Sequence, residues 1–161
     1  IFQAFPDLIF AMAIMTFMGK GVLNLFIALG LLTWVRTARM IRASVMQLKE
    51  KEYIEASRAC GASTYWIIMK GLVPNCLSTI IVLVTLGIPN AIMYEASLSF
   101  LGIGIQPPTP SWGNMISAAQ TFISYRPVYS IMPGVAIMIT VIAFNIFGDG
   151  LRDALDPKLR G

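Results

Sequence analysis

Apolar residues in this chain are grouped in long blocks separated by short polar segments. The four apolar blocks cover roughly residues 8–18, 22–35, 76–94 and 131–147. A helix that crosses a bilayer needs about 20 predominantly apolar residues. The first two blocks reach that length only if they extend back to Phe2 and forward towards Ile41. The pattern predicts an all-α polytopic bundle of about four transmembrane helices.

Glycine and proline mark two further features of this pattern. Gly19 and Gly21 flank Lys20 between the first two blocks. They predict a tight turn between two antiparallel helices. Gly87 and Pro89 interrupt the third block and predict a kink, which a membrane helix tolerates when its neighbours satisfy the freed carbonyl group.

Composition supports a membrane protein. Hydrophobic residues make up 57% of the chain and charged residues 12%, with a mean hydropathy of +0.73. Ordinary soluble domains carry about 25% charged residues. We therefore treat residues 1–161 as one transmembrane domain. The sequence begins with Ile1 rather than Met, so we expect it to be part of a longer chain.

The distribution of Lys and Arg predicts the orientation. Seven of the twelve lie in the segment 36–75: Arg36, Arg39, Arg42, Lys49, Lys51, Arg58 and Lys70. Three more follow the fourth block, which leaves Lys20 and Arg126 for the other side. The positive-inside rule places the 36–75 segment and the C-terminus in the cytoplasm and the 96–130 segment outside. Topology thus explains the net charge of +4, and we do not interpret it as a nucleic-acid-binding surface.

The chain contains no histidine, which excludes several chemistries from its own residues. A histidine-ligated haem, a three-histidine zinc site and a Ser/His/Asp triad all require imidazole. Cys60 and Cys76 do not form a CxxC motif, and we interpret them as small packing residues.

The predicted cytoplasmic segment is expected to fold as helix, turn and helix. Residues 44–60 lack Gly and Pro and favour one helix. Gly61 supplies a left-handed residue to end it. Ser63 or Thr64 can cap a second helix, and Pro74 marks the entry to the third span.

One corner of this segment carries mainly small side chains: Ala56, Ser57, Ala59, Gly61 and Ala62. Such a corner can enter a narrow cleft on another protein, because small residues allow close backbone approach. The alternative is a helical hairpin that packs on its own bundle, with Glu55 paired only to Lys51 and Arg58.

The same segment resembles the EAA motif of ABC-importer permease subunits. That motif has Glu-Ala-Ala, three residues, Gly, nine residues and then Ile-x-Leu-Pro. Four positions match in register: Glu55, Ala56, Gly61 and Pro74. Ser57 replaces the second Ala, Val73 replaces Leu, and Gly71 replaces Ile as the one non-conservative departure.

Longer stretches resemble the dipeptide/oligopeptide (and nickel) permease family, and in particular its C-type permease. They are residues 29–30, 34–39, 95–102, 106–113 and 144–157. Members of this family usually have six spans, so the resemblance implies that two spans precede this sequence. It also implies a location in the bacterial inner membrane.

The resemblance implies a mechanism. The EAA segment would be a coupling helix in a cleft of a cytoplasmic ABC ATPase subunit. Glu55 would form a charge pair there, Gly61 would make the turn, and Ala56 would allow close approach. Ser57, Ala62 and Pro74 complete the implied coupling set. The chain has no Gly-rich Walker loop, so ATP and Mg would bind to the partner and this chain would not be an enzyme.

The other implied partners are a second homologous permease subunit, an extracytoplasmic substrate-binding protein and membrane lipid. The 96–130 segment is interpreted either as a docking surface or lid for the binding protein or as a re-entrant hairpin that closes the bundle. Glu95 is an ionisable residue near the outer end of a span. It lines the translocation path in one interpretation and is a helix-end carboxylate in the other. Asp7 has the same two interpretations, at the inner edge of the first span.

These sequence features bear on three candidate functions. The leading hypothesis is a permease subunit of an ATP-driven importer of di- or oligopeptides, with nickel or glutathione-like solutes as variants of the same type. The second is a self-sufficient secondary transporter or channel, which broken helices and paired intramembrane carboxylates would favour. An intramembrane enzyme is the third, and the spans offer no two convergent catalytic groups for it.

Overall fold

A computed structural model describes residues 6–155, and all the regular structure in that range is helical. The helices are α1 (Asp7–Met18), α2 (Val22–Lys49), α3 (Glu52–Ala59), α4 (Thr64–Trp66), α5 (Val73–Phe100), α6 (Trp112–Ala119) and α7 (Val128–Leu155). A π-helical segment, Ile67–Leu72, joins α4 to α5, and a short 3₁₀ turn, Gln120–Phe122, follows α6. The all-α fold class is confirmed.

Three of the described helices are long and apolar enough to cross a membrane: Val22–Lys49, Thr64–Phe100 and Val128–Leu155. The remaining apolar helix, α1, has 12 residues. At 1.5 Å per residue it is about 18 Å long, whereas the hydrocarbon core is about 30 Å thick. Residues 6–18 therefore do not form a fourth full span, and the expected extension to Phe2 lies outside the described residues.

The turn between α1 and α2 confirms the sequence prediction. Gly19 has φ +85° and Gly21 has φ +152°, conformations that favour glycine. The Asn24 side-chain amide donates to the carbonyl oxygens of Met18 (2.7 Å) and Gly19 (3.0 Å). The asparagine thus satisfies two carbonyl groups that the end of α1 leaves free.

Pro74 lies in the first turn of α5, so it marks the entry to this regular helix as predicted. The continuous helical stretch is longer and begins at Thr64, because α4 and the π-helical segment lead into α5 without a break. Pro74 lacks an N–H group and cannot make the regular backbone bond to residue 70. The wider π-helical segment immediately before it accommodates this loss. Pro89 also lies within α5, and the helix continues past it.

The helices bury only a small apolar core between them, and most of their apolar side chains lie on the outer surface of the bundle. One buried cluster joins α1, α2 and α5 through Ala11, Met15, Leu25, Ala28, Leu29 and Leu98. Only 17% of each apolar window is buried inside the chain. Large side chains such as Phe17 (92% exposed) and Ile146 (68%) point outward, as expected for surfaces in contact with lipid or with other membrane helices.

The C-terminal end of α7 lies beside the beginning of α5. Met40, Ser78, Arg152 and Leu155 line a common depression of about 350 Å³. Residues from the C-terminal part of α2, the N-terminal part of α5 and the C-terminal end of α7 therefore lie together. We call this end of the bundle the inner end, and the end near Phe100 the outer end.

Candidate functional site

The segment between α2 and α5 folds into a compact element at the inner end, formed by α3, the turn at Gly61 and the start of the next helix. The prediction of a single helix over 44–60 is wrong at one point. Helix α2 ends at Lys49, Lys51 is extended (φ −81°, ψ 138°), and α3 begins at Glu52. No Gly or Pro marks this break. The break turns α3 back towards the start of the long helix, where Ile54 is buried against Ile67 and Leu72.

A small apolar core holds the element together. Ile54 is 1% exposed and forms a cluster with Ile67 and Leu72, which are also buried. The half-buried side chains of Val45, Leu48 and Ala62 pack against this cluster. Because these residues belong to α2, α3, the turn and the start of the long helix, the core ties α3 to both neighbouring helices.

The turn after α3 has the hydrogen bonds of a Schellman motif. Gly61 has φ +79°, its N–H group donates to the Arg58 carbonyl oxygen (2.9 Å), and the Ala62 N–H group donates to that of Ser57 (3.0 Å). Ser63 then caps the next helix, since its Oγ accepts from the Trp66 N–H group (3.2 Å). Both the glycine turn and the Ser63 cap confirm the sequence prediction.

Gly71, the departure from the EAA pattern, is buried against Ile54. A Cβ placed on Gly71 would lie 2.8 Å from Ile54 Cδ1. The glycine thus makes the room that Ile54 occupies. The carbonyl group of Gly71 also takes part in a polar cluster. Gly71 O accepts from Asn75 Nδ2 (2.7 Å) and from the Tyr53 hydroxyl (3.4 Å). Asn75 Nδ2 also donates to the Tyr53 hydroxyl oxygen (3.3 Å).

The predicted docking residues are placed on two sides of this element. Glu55, Ala56 and Gly61 are exposed, whereas Ser57 and Ala62 are half-buried. No atom lies within 4 Å of a Cβ placed on Gly61. Glu55 forms no ion pair with Lys51 or Arg58 in the part of the chain that the structure describes. The element thus presents an open corner with a free carboxylate.

Pro74 does not belong to that corner. It lies in α5, next to Asn75, whose side chain contacts Tyr53 of α3. Its position is at the joint between the docking element and the long helix.

Asp7 takes part in a contact that the sequence did not reveal. Its Oδ2 atom accepts from Arg36 Nη2 (3.1 Å) and from the Tyr94 hydroxyl (2.8 Å). The sequence predicted that Asp7 lies at the inner edge of its span and that Glu95 lies near the outer end of another span. Asp7 contacts Tyr94, the residue next to Glu95, so these two predicted depths are not compatible. The shortness of α1 explains the difference, because its first residue lies within the depth of the bundle rather than at a surface.

Glu95 lies at the outer end of α5, against the 96–130 segment. The Ser99 hydroxyl donates to Glu95 Oε1 (2.6 Å) and accepts from the Ile105 N–H group (3.0 Å). Glu95 also lines an open depression of about 440 Å³ with Trp112 and Met115. Its role in a translocation path stays a prediction.

Residues 111–114 form the beginning of α6, with Ser111 at the N-cap. Ser111 Oγ accepts from the Asn114 N–H group (3.2 Å), the usual N-cap bond of α6. Gly113 then packs directly on α5, where a Cβ would overlap the backbone of Ala96. This segment packs on the outer end of the bundle, and its role as a docking surface, lid or re-entrant hairpin stays a prediction.

Residues 6–155 bring together no group of three or more His, Cys, Asp and Glu side chains that can hold a metal ion. The features that do stand out are a membrane-type helical bundle and a braced, exposed docking element on one end of it. Together they define a membrane-type helical protein with an exposed helix-turn-helix element at one end of its bundle.

Comparison with known families agrees with this class. The chain belongs to the family described as binding-protein-dependent transport system inner membrane component, whose model matches residues 1–161. It is 42% identical over 158 residues to the glutathione transport system permease protein GsiD of Escherichia coli O1:K1 / APEC, and equally to those of Shigella flexneri serotype 5b (strain 8401) and Shigella boydii serotype 4 (strain Sb227). Each alignment covers 98% of this chain and 52% of the relative, so the chain spans about half the length of these curated relatives.

Proposed function

We propose that this chain is part of the permease subunit of an ATP-driven importer for small peptides or glutathione-like solutes. The observation that carries the proposal is the open corner of the docking element, where Glu55, Ala56 and Gly61 are exposed at the inner end. A family of binding-protein-dependent transport components and relatives named as glutathione permeases support it.

The partner at the open corner is a cytoplasmic ABC ATPase subunit, which binds ATP and Mg. Glu55 forms a charge pair with it, while Ala56 and Gly61 let its surface approach the backbone. Loss of one partner of a desolvated interfacial charge pair typically costs about 2–5 kcal/mol. Hydrolysis takes place on the partner.

The contacts around α3 suggest how movement is transmitted. Ile54 joins α3 to α2 through Val45 and Leu48, and to the long helix through Ile67 and Leu72. The Tyr53–Asn75 hydrogen bond makes a second link to α5. A push on the corner therefore moves the inner ends of α2 and α5 together, which is the motion that alternating access requires.

The arrangement of the inner end supports the predicted orientation. Apart from Arg36, which lies midway along α2, the cation-rich 36–75 segment lies at the same end of the bundle as the C-terminal part of α7. The positive-inside rule places that end in the cytoplasm. The outer segment 96–130 then faces the extracytoplasmic side, where a substrate-binding protein delivers solute, and a second permease subunit completes the pathway.

A self-sufficient secondary transporter is the competing function, and the ion pair between Asp7 and Arg36 is the observation that favours it. Ionisable residues inside membrane helices are rare, pair with one another and mark substrate or ion pathways in transporters. The two functions differ in whether solute uptake requires the docking corner.

The test uses the complete importer with the full-length permease in proteoliposomes, with uptake of glutathione and of alanyl-alanine measured alongside ATP hydrolysis. We expect Glu55→Lys to reduce both uptake and solute-stimulated hydrolysis at least tenfold. Glu50→Lys makes the same charge change at an exposed residue outside α3 and is expected to have little effect. ATP-independent uptake that is unaffected by Glu55→Lys would favour the secondary transporter.

A further inference from the structure

A charged pair lies midway along α2, away from both ends of that helix. Arg36 is 14 residues from the start of α2 at Val22 and 13 from its end at Lys49. At 1.5 Å per residue, either end is about 20 Å away along the helix axis. Its partner is Asp7 Oδ2 at 3.1 Å, and the same oxygen accepts from the Tyr94 hydroxyl at 2.8 Å.

These three side chains line a groove between α2 and α5. The groove has a volume of about 240 Å³, and its other polar lining residues are Thr33, Thr37 and Asn90. It adjoins the depression of about 350 Å³ at the inner end, because Met40, Leu83 and Leu86 line both. The two depressions are therefore continuous, joined past these three apolar side chains, and together they reach from the inner end to the charged pair.

Most hydrogen-bond donors of the Arg36 side chain have no acceptor among residues 6–155. Its side chain is 66% exposed, against 32% for Asp7. Only one guanidinium nitrogen, Nη2, has a hydrogen-bond acceptor within residues 6–155. A guanidinium has five N–H donors in a planar fork, so the remaining donors are open to the groove. Charged side chains at membrane depth characteristically face a bundle interior or a water-filled cavity rather than lipid.

We propose that Arg36 binds a carboxylate group of the transported solute and that Asp7 is its counter-ion when solute is absent. The inference rests on the proposed function and specifies its substrate class: solutes with a free carboxylate, such as short peptides. A carboxylate that engages the guanidinium fork makes two parallel hydrogen bonds. Asp7 uses one oxygen for Arg36, so an incoming carboxylate can displace it, while Tyr94 continues to donate to Asp7.

The first experiment asks whether both charges face a water-filled groove. Cys60 and Cys76 are replaced by Ser in the full-length permease of the complete importer, and Asn90→Cys provides a single reporter. Its reaction rates with anionic and cationic methanethiosulfonates are compared. Arg36→Gln is expected to lower the anionic-to-cationic rate ratio about threefold or more, and Asp7→Asn to raise it, since each leaves one uncompensated charge.

Arg39→Gln is the matched control. Arg39 lies on the same helix but lines a different depression, with Trp34, Ala38 and Arg42. Arg39→Gln removes the same positive charge as Arg36→Gln. It is expected to leave the anionic-to-cationic rate ratio at Asn90→Cys unchanged. A reporter that reacts with neither reagent, or that responds equally to Arg36→Gln and Arg39→Gln, would overturn the proposal.

The second experiment tests carboxylate binding directly. Alanyl-alanine at millimolar concentration is added to both faces of the vesicles, and its C-terminal amide is added in a parallel sample. The dipeptide is expected to slow labelling at least threefold and the amide to leave it unchanged. Arg36→Gln is expected to abolish the difference, Arg36→Lys to retain part of it, and Arg39→Gln to retain all of it.

Equal protection by the dipeptide and its amide would show that Arg36 serves only as a counter-ion for Asp7. If Arg36→Gln prevents folding, the double variant with Asp7→Asn removes both charges and is used instead. The assay needs neither ATP nor a docked ATPase. A permease that fails to couple to ATP hydrolysis would therefore still report on this groove, and the two proposals fail separately.

Discussion

The two ends of α5 are covered by short helical segments that use glycine in opposite ways. At the inner end, Gly61 adopts φ +79° and has no atom within 4 Å of where a Cβ would lie. At the outer end, Gly104 and Gly113 are buried, and a Cβ on either would overlap the backbone of α5, at Ser99 and Ala96 respectively. The inner glycine shapes an open surface, whereas the outer glycines permit a closed contact within this chain.

The two segments are also held differently. The inner element depends on side chains, chiefly Ile54 against Ile67 and Leu72. The outer segment depends on close backbone approach, which side-chain rearrangement cannot replace. We therefore expect substitutions at the outer end to affect folding of the whole bundle, and those at the inner end to affect mainly the docking element.

Gly113→Ala is expected to have the largest effect. The added methyl group meets the Ala96 backbone, which has little freedom to move, so the cost should exceed the usual overpacking range of about 1–3 kcal/mol. Thermal unfolding of the purified full-length permease measures it. Gly134→Ala is the control, because Gly134 is also helical and has nothing within 4 Å of its Cβ position. Equal unfolding temperatures for the two variants would contradict the close contact.

Ile54→Ala is expected to have the second largest effect, a loss of about 2 kcal/mol in the stability of the docking element. This is the lower end of the range for such truncations. The cluster is small and near the surface, so part of the cavity can relax. Amide hydrogen exchange should speed up in α3 and around the Gly61 turn, while α5 and α7 stay protected. Faster exchange throughout the bundle would show that the docking element is not a separate unit.

Gly61→Ala is expected to lower the free energy of unfolding by about 1 kcal/mol, because L-residues disfavour the left-handed conformation. Since the surrounding space is open, the cost comes from the backbone alone, and Gly61→Asn should cost less. Thermal unfolding of both variants gives the comparison. An Asn variant less stable than the Ala variant would be inconsistent with a left-handed residue at this position.

The smallest expected effect is that of Tyr53→Phe. It removes the hydroxyl that donates to Gly71 O at 3.4 Å and accepts from Asn75 at 3.3 Å. The stronger Asn75 bond to Gly71 O remains, so a loss of about 0.5 kcal/mol is expected. Thermal unfolding and ATP-driven uptake should both stay close to those of the wild type. A large loss of uptake with unchanged stability would assign Tyr53 a direct part in docking.

The features that could be predicted from the sequence are those that depend on neighbouring residues. The glycine turn at Gly61, the cap at Ser63 and the turn at Gly19 and Gly21 follow from local backbone preferences. The break at Glu50 and Lys51 was missed because it arises from burial of Ile54 against residues of another helix. No local residue type marks it.

Contacts between distant residues were not predictable from one sequence. Asp7 and Tyr94 are 87 positions apart, and Arg36 had been assigned to the cation-rich loop rather than to the interior of a helix. Charge counting alone does not distinguish an arginine in a helix interior from one in a loop. Gly71 is the one non-conservative departure from the motif, and its absent side chain leaves the space that Ile54 fills.

Cross-linking at the native Cys60 tests the central claim most directly. Cys60 is exposed and immediately precedes Gly61, and Cys76 is buried and is replaced by Ser. The full-length permease is assembled with an ATPase subunit that carries one engineered cysteine in its docking cleft. The account predicts a specific cross-link whose yield changes with ATP and is lost in Glu55→Lys but not in Glu50→Lys. An assembled, active importer without that cross-link would contradict the assignment of this element as the coupling site.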